Sequence, residues 1–147
     1  MRELREQIAI ATPRQTVWEL LADFGGVSKW APYMKTSHLI GDIQSGIGMR
    51  RGMRHAWGFR FEEAVTQWKD GQGFSFDVFR APFPMKNVKE SWIIDHSNGH
   101  STVSTQVTYG MHLGPIGKAL DWMLVRFIVT REMRAGLRGL KQHSERR

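Results

Sequence analysis

Residues 3–11 alternate in character, with Leu4, Ile8 and Ile10 set among charged or polar neighbours, and this period of two predicts a strand. Thr12-Pro13 then reads as a helix start, a hydroxyl N-cap followed by proline at the first helical position. The helix should run to Asp23, bury Val17, Leu20, Leu21 and Phe24, and end at Gly25-Gly26. A second, short helix is expected over 27–30, stopped by Pro32.

From Tyr33 the period changes to two. Strands are predicted over 34–41, 48–55, 59–69, 74–79, 87–96 and 101–113. Gln44-Ser45-Gly46, Asp70-Gly71-Gln72-Gly73 and Ser97-Asn98-Gly99 supply turn chemistry between them, and Ala81-Pro82-Phe83-Pro84 a looser, rigid connection. Such short links favour an antiparallel meander. After Gly114-Pro115 the pattern is helical to Gln142, roughly 27 residues or about 40 Å. Ile116, Leu120, Met123, Phe127, Met133, Leu137 and Leu140 form one apolar stripe on it.

The order is one strand, a helix pair, six strands and one long helix. It predicts an α+β fold in which a curved six- to seven-stranded antiparallel sheet wraps around the C-terminal helix. A curled sheet with a helix across its mouth encloses an interior, a natural ligand site. No repeat or linker divides the chain, so residues 1–147 are expected to form one domain.

Composition narrows the class. A hydrophobic fraction of 41% suits a folded globular protein, and no apolar run reaches the roughly 18 residues that span a bilayer. The charged, alternating N-terminus is no signal peptide, and a cytoplasmic protein is expected. With no cysteine there are no disulfides, no thiolate chemistry and no Cys-ligated metal. The net charge of +7 gathers in Arg50, Arg51 and Arg54, in Arg131, Arg134 and Arg138, and in the tail Lys141, Arg146 and Arg147. A solvated surface accounts for this charge first, an anionic membrane contact second, and nucleic acid least.

Several segments together resemble the START-like SRPBCC superfamily, in particular its polyketide cyclase/dehydratase-like branch. They are Pro13 with Val17-Trp18 and Leu21-Ala22-Asp23-Phe24; Trp30-Ala31-Pro32; Gly46-Ile47-Gly48-Met49-Arg50-Arg51; and Glu63-Ala64-Val65-Thr66-Gln67-Trp68. Thr102-Val103-Ser104-Thr105, Tyr109 and Gly136-Leu137-Arg138-Gly139-Leu140-Lys141 complete the match, which covers essentially the whole chain. The resemblance implies the helix-grip fold and a hydrophobic ligand such as a lipid, sterol, polyketide, plant hormone or quinone; a minority of such proteins cyclise or aromatise their ligand. An Asp-Pro turn common in the family is replaced here by Asp70-Gly71, away from the expected cavity.

Candidate chemistry is sparse. Glu62 and Glu63 are strand neighbours and point to opposite faces, so they cannot converge on one substrate. If Phe59, Phe61 and Val65 face the interior, Glu63 does too, either as a general acid or base with a raised pKa or as the salt-bridge partner of Arg50, Arg51 or Arg54. One bulge would exchange Glu62 for Glu63. One of those arginines could instead orient a ligand oxygen. Tyr109 shares the parity of Val103, Thr105, Val107 and Met111 and is either a pocket phenol or a core tyrosine bonded to backbone.

His38, His55, His96, His100, His112 and His143 are scattered and read as structural. His96 and His100 flank a turn, but no metal motif accompanies them. No dinucleotide, Walker or nucleophile-elbow motif is present, so no cofactor is expected. The expected ligand-binding set is Phe59, Phe61, Glu63, Val65, Phe76, Trp92, Val107 and Tyr109 on strands, with Met123 and Phe127 on the long helix; the alternative for these side chains is a filled core.

Trp122, Val125 and Val129, with Leu124 and Ile128, give that helix a second apolar face, expected to serve a homodimer first and an anionic membrane second. Three functional readings stay open. They are a carrier of a small hydrophobic molecule, a cyclase/dehydratase-type enzyme in which Glu63 and Tyr109 polarise an enolisable substrate, and an interaction module.

Overall fold

The computed structural model describes residues 1–97 and 99–146; Asn98 of the last turn and Arg147 of the basic tail lie outside the described residues. Seven strands form one antiparallel sheet in the order β1-β7-β6-β5-β4-β3-β2. They are β1 (Arg2–Ile10), β2 (Met34–Ile40), β3 (Arg50–His55), β4 (Arg60–Lys69), β5 (Gly73–Arg80), β6 (Met85–Ser97) and β7 (His100–Met111). From β2 to β7 each strand pairs with its successor, as short turns dictate. Gly71, with φ of 75°, makes the β4–β5 hairpin, a backbone conformation that costs glycine nothing.

β1 returns to pair with β7, so β1 and β2 are the two edges. Helix α1 (Arg14–Ala22) and a 3₁₀ segment (Phe24–Lys29) carry the chain between those edges. Pro13, rather than Thr12, stands at the N-cap, and the buried Thr12 offers its carbonyl to the Ser101 hydroxyl at 2.8 Å. Val17, Leu21 and Phe24 are buried as their helical spacing predicts, Leu20 is only half-buried, and Trp18 joins the buried set. Beneath them Trp18, Phe24, Phe74 and Phe76 pack edge-to-face, tilted or stacked, with ring centroids 5.7–6.3 Å apart.

The C-terminal helix spans 32 residues and lies across the concave face of the sheet, the helix-grip arrangement. It comprises α2 (Gly114–Leu120), a single π turn (Asp121–Val125) and α3 (Arg126–Glu145). Two glycines let it approach the segment at 30–33: a Cβ on Gly139 would stand 1.9 Å from the Trp30 carbonyl oxygen, and one on Gly136 2.9 Å from the Tyr33 hydroxyl.

The expected stripe on this helix holds only in its second half. Met133, Leu137 and Leu140 are buried, but Ile116, Leu120, Met123 and Phe127 are exposed. The π turn inserts a residue into the repeat and changes the helical phase, so a stripe extrapolated at 3.6 residues per turn leaves the core at that point. Gly117, Asp121, Val125, Val129 and Met133 face inward instead. The turn is anchored by Asp121, which is buried and accepts hydrogen bonds from the Tyr109 hydroxyl and from Arg2 Nε at 2.8 Å.

Candidate functional site

A cavity of about 340 Å³ lies between the sheet and the C-terminal helix. It separates two packed clusters and takes walls from both: Met53, Phe74 and Trp92 from one, Val88, Val107 and Met133 from the other. The inward parity of each strand selects these positions, because residues two apart share a face. Leu124, Val125, Ile128 and Val129 supply the helix side. Trp57, Phe59, Phe83 and Leu124 line the cavity and are also exposed, so they form its mouth.

Polar groups enter this wall at three places. On β3 and β4, Arg51 and Glu63 are direct cross-strand partners and form a buried ion pair, Nη2 to Oε1 2.6 Å. Arg51 also donates from Nε to the same oxygen at 2.6 Å and from Nη1 to the Phe24 carbonyl at 3.0 Å. Its guanidinium carbon lies 3.7 Å from the centre of the Phe24 ring. Burial pushes the Glu63 carboxyl up from its ordinary value, against the opposing pull of Arg51.

Glu90 on β6 is the second polar group. Burial first, and then the neighbouring charge of Glu63, push its pKa up to about 8, with Arg51 and the Trp92 side chain pulling the other way. The third is His55, buried at the end of β3 and paired through Nε2 with Glu132 of α3. Its Nδ1 accepts the Trp57 backbone N–H at 3.1 Å, so Nε2 carries the hydrogen that faces Glu132. Tyr33 stacks beside His55 with ring centroids 6.2 Å apart, and burial holds its phenol well above the ordinary value.

Of the residues expected to line a ligand site, Phe59, Phe61, Glu63, Trp92 and Val107 border the cavity. Val65 and Phe76 point inward as expected but are sealed in the packed cluster around Phe24. Tyr109 is fully buried beneath the π turn and bonded to the Asp121 carboxylate, not to backbone and not at the cavity. Burial is the largest cause of its raised pKa, with Asp121 adding to it. Met123 and Phe127 are 67% and 57% exposed and face away from the cavity. In the first half of the helix the faces are thus largely exchanged: Leu124, Val125, Ile128 and Val129, expected at an outer contact, form the cavity wall, while Trp122 of that face stays exposed. The phase change at Asp121–Val125 is the reason.

The β4–β5 ladder does carry a register shift between Glu62 and Glu63, yet Glu63 stays inside with Phe61 and Val65. Arg50 lies outside, 4.8 Å over the Phe79 ring, and Arg54 is exposed. His55, Glu90 and Glu132 were not among the expected site residues. Glu90 was legible in principle, since it shares the parity of Val88 and Trp92 on a strand that was predicted. Among the described residues no group of three or more His, Asp or Glu side chains is placed to hold a metal, and no helix is long and apolar enough to cross a membrane.

This is a helix-grip domain of the START-like superfamily, with an apolar cavity and a short polar wall inside the grip. The chain belongs to the family described as polyketide cyclase / dehydrase and lipid transport, whose model matches residues 1–145. Among curated proteins no significant sequence match is found. Similar solved structures include the Zhui aromatase/cyclase from Streptomyces sp. R1128, with a TM-score of 0.87 at 13% identity over 99% of this chain and 94% of that one. TTHA0849 from Thermus thermophilus superposes with a TM-score of 0.80 at 18% identity, covering 97% of both chains. The di-domain ARO/CYC BexL from the BE-7585A biosynthetic pathway gives 0.79 at 18% identity over 99% of this chain and 47% of that one. At these identities the likeness is one of fold.

Proposed function

We propose that this protein binds a small hydrophobic molecule, of lipid, quinone or polyketide type, as one ligand-binding unit spanning the chain. The observation that carries the reading is the cavity of about 340 Å³, walled by apolar and aromatic side chains and open at a mouth of exposed ones. Its size falls in the range of small-molecule sites, and a few polar groups are set among its apolar walls. The family description, which joins cyclases with lipid transport, and the aromatase/cyclase title of one similar structure are in keeping with it. Native mass spectrometry of the purified protein, with extraction of whatever it releases, tests this directly. A stoichiometric apolar mass supports the reading, whereas a clean apo mass that persists after exposure to lipid, quinone and polyketide mixtures rejects it.

A cyclase using Glu63 and Tyr109 together is not favoured, because Tyr109 is bonded to Asp121 outside the cavity and Glu63 is neutralised by Arg51. A membrane contact for delivery is favoured by one specific feature. Ile116, Leu120, Trp122, Met123 and Phe127 are an exposed apolar set on the first half of the C-terminal helix. Arg126 lies over the rings of Trp122 and Phe127, and Arg131 lies 5.9 Å over Trp57 at the mouth. Apolar side chains rimmed by arginine suit an anionic bilayer better than a second copy carrying the same positive rim. Arg134, by contrast, is tied to Glu6 of β1 at 3.0 Å.

A further inference from the structure

We propose that the polar wall of this cavity selects neutral ligands bearing a carbonyl-type acceptor oxygen and discriminates against carboxylates, with Trp30 and Glu90 as the two donors. The inference rests on the binding reading above and concerns which molecules the same site takes.

In a protein of net charge +7, an arginine in the cavity wall invites the opposite expectation, an anionic ligand. Arg51 is largely committed elsewhere. Three of its five N–H groups have protein acceptors, two on Glu63 and one on the Phe24 carbonyl, and its charge is matched by Glu63. One face of its guanidinium is covered by the Phe24 ring. Only 5% of its side chain and 6% of that of Glu63 are exposed. The pair sums to zero charge, so an incoming carboxylate would shed its water and gain no cation in return.

Two donors remain. Trp30 borders the cavity, is 5% exposed, and its indole N–H has no hydrogen-bond partner among the described residues. A buried donor left unpaired is costly, and a ligand acceptor relieves that cost. The Trp30 ring packs edge-on against Trp92, centroids 5.4 Å apart, and Trp92 stands two residues from Glu90 on the inner face of β6. Glu90 faces Phe76 of β5 and Val107 of β7 in register. The titratable and charged groups around it are Glu63 on β4, Arg51 and His55 on β3, Tyr33 before β2, and Glu132 on α3. Arg51 and the hydrogen-bonding Trp92 and Thr105 side chains favour the ionised form, but burial and the neighbouring Glu63 outweigh them, so Glu90 carries its proton near neutrality and can donate it. Trp30 and a neutral Glu90 both seek acceptors, and neither can favour an anion over a ketone by charge.

The test uses three bicyclic probes of matched shape: acetylnaphthalene, ethylnaphthalene and naphthoate. Calorimetric titration at about pH 6.5 should show the ketone binding about ten-fold tighter than either the hydrocarbon or the anion. That advantage should fade by about pH 9.5, as Glu90 ionises, and should persist at both pH values in Glu90→Gln, whose amide donates without titrating. Glu90→Leu and Trp30→Phe should each lose several-fold of the preference while still binding ethylnaphthalene. Equal affinity for ketone and hydrocarbon overturns the proposal and leaves the binding reading standing. Tightest binding of naphthoate overturns it in favour of an anion site. Failure of all three probes to bind overturns both.

Discussion

Arg51 and Glu63 stand opposite one another on β3 and β4 and close a 2.6 Å ion pair inside the wall of the cavity. Breaking a buried pair from one side leaves the other charge without a partner. Glu63→Leu is therefore expected to destabilise the protein by about 3–5 kcal/mol. Replacing both, as Arg51→Met with Glu63→Leu, should recover most of that loss, because an apolar pair owes no desolvation. Urea unfolding of the two variants and the wild type measures the difference. A double variant no more stable than the single would show that the ion pair itself is required.

Glu90 should make the fold less stable in alkali. Its pKa in the folded protein is about 8, above the ordinary 4.5, so folding binds a proton between those values. The stability it contributes is fully present below the lower value and is lost as pH rises through the upper one. Glu90→Gln should then melt higher than the wild type at about pH 9 and converge with it at about pH 4. Parallel melting curves across that window would contradict a titrating Glu90 in the cavity wall.

His55 and Glu132 join β3 to α3 across the cavity. Hydrogen bonds to charged groups contribute about 1.5–3 kcal/mol, and this one fastens the middle of a long helix. Amide hydrogen exchange over 126–133 should accelerate about ten-fold or more in Glu132→Leu, while the α3 turns around Leu137 and Leu140 keep their protection. Uniform exchange along the helix in both proteins would assign the fastening to apolar packing alone.

Gly139 should not tolerate a methyl group. In an exposed helix interior, glycine to alanine stabilises by about 1 kcal/mol. Here the added Cβ would meet the Trp30 carbonyl at 1.9 Å, and overpacking costs about 1–3 kcal/mol. Gly139→Ala is expected to lower the melting temperature and to displace Trp30 from the cavity wall, seen as a changed tryptophan emission. A rise in melting temperature would show that the loop yields freely.

The exposed apolar set on the C-terminal helix should bind anionic vesicles. Trp122→Ser with Phe127→Ser is expected to reduce sedimentation with phosphatidylserine-containing vesicles about ten-fold or more and to leave unfolding unchanged, since both side chains are exposed. Arg126→Glu with Arg131→Glu should do the same in a salt-dependent way. Light scattering without vesicles covers the other occupant. A dimer abolished by the serine variants would assign the set to a second copy of the chain.

Local pattern alone determined the order of elements and nearly every strand. Alternation and turn residues are properties of a few adjacent positions, and they placed Glu63 with Phe61 and Val65 on the inner face. The order of elements already implied a sheet wrapped around the helix with an interior between them, and the whole-chain resemblance tied that arrangement to a hydrophobic ligand. The sequence did not reveal which helix face would be inside, because that depended on one π turn at Asp121 held by Arg2 and Tyr109, residues 119 and 12 positions away. Nor did it show that Tyr109 would be spent on that anchor, or that His55, Glu90 and Glu132 would gather around one cavity. Those facts are distances between strands and helix, set by packing across the whole sheet, and tertiary structure alone decided them.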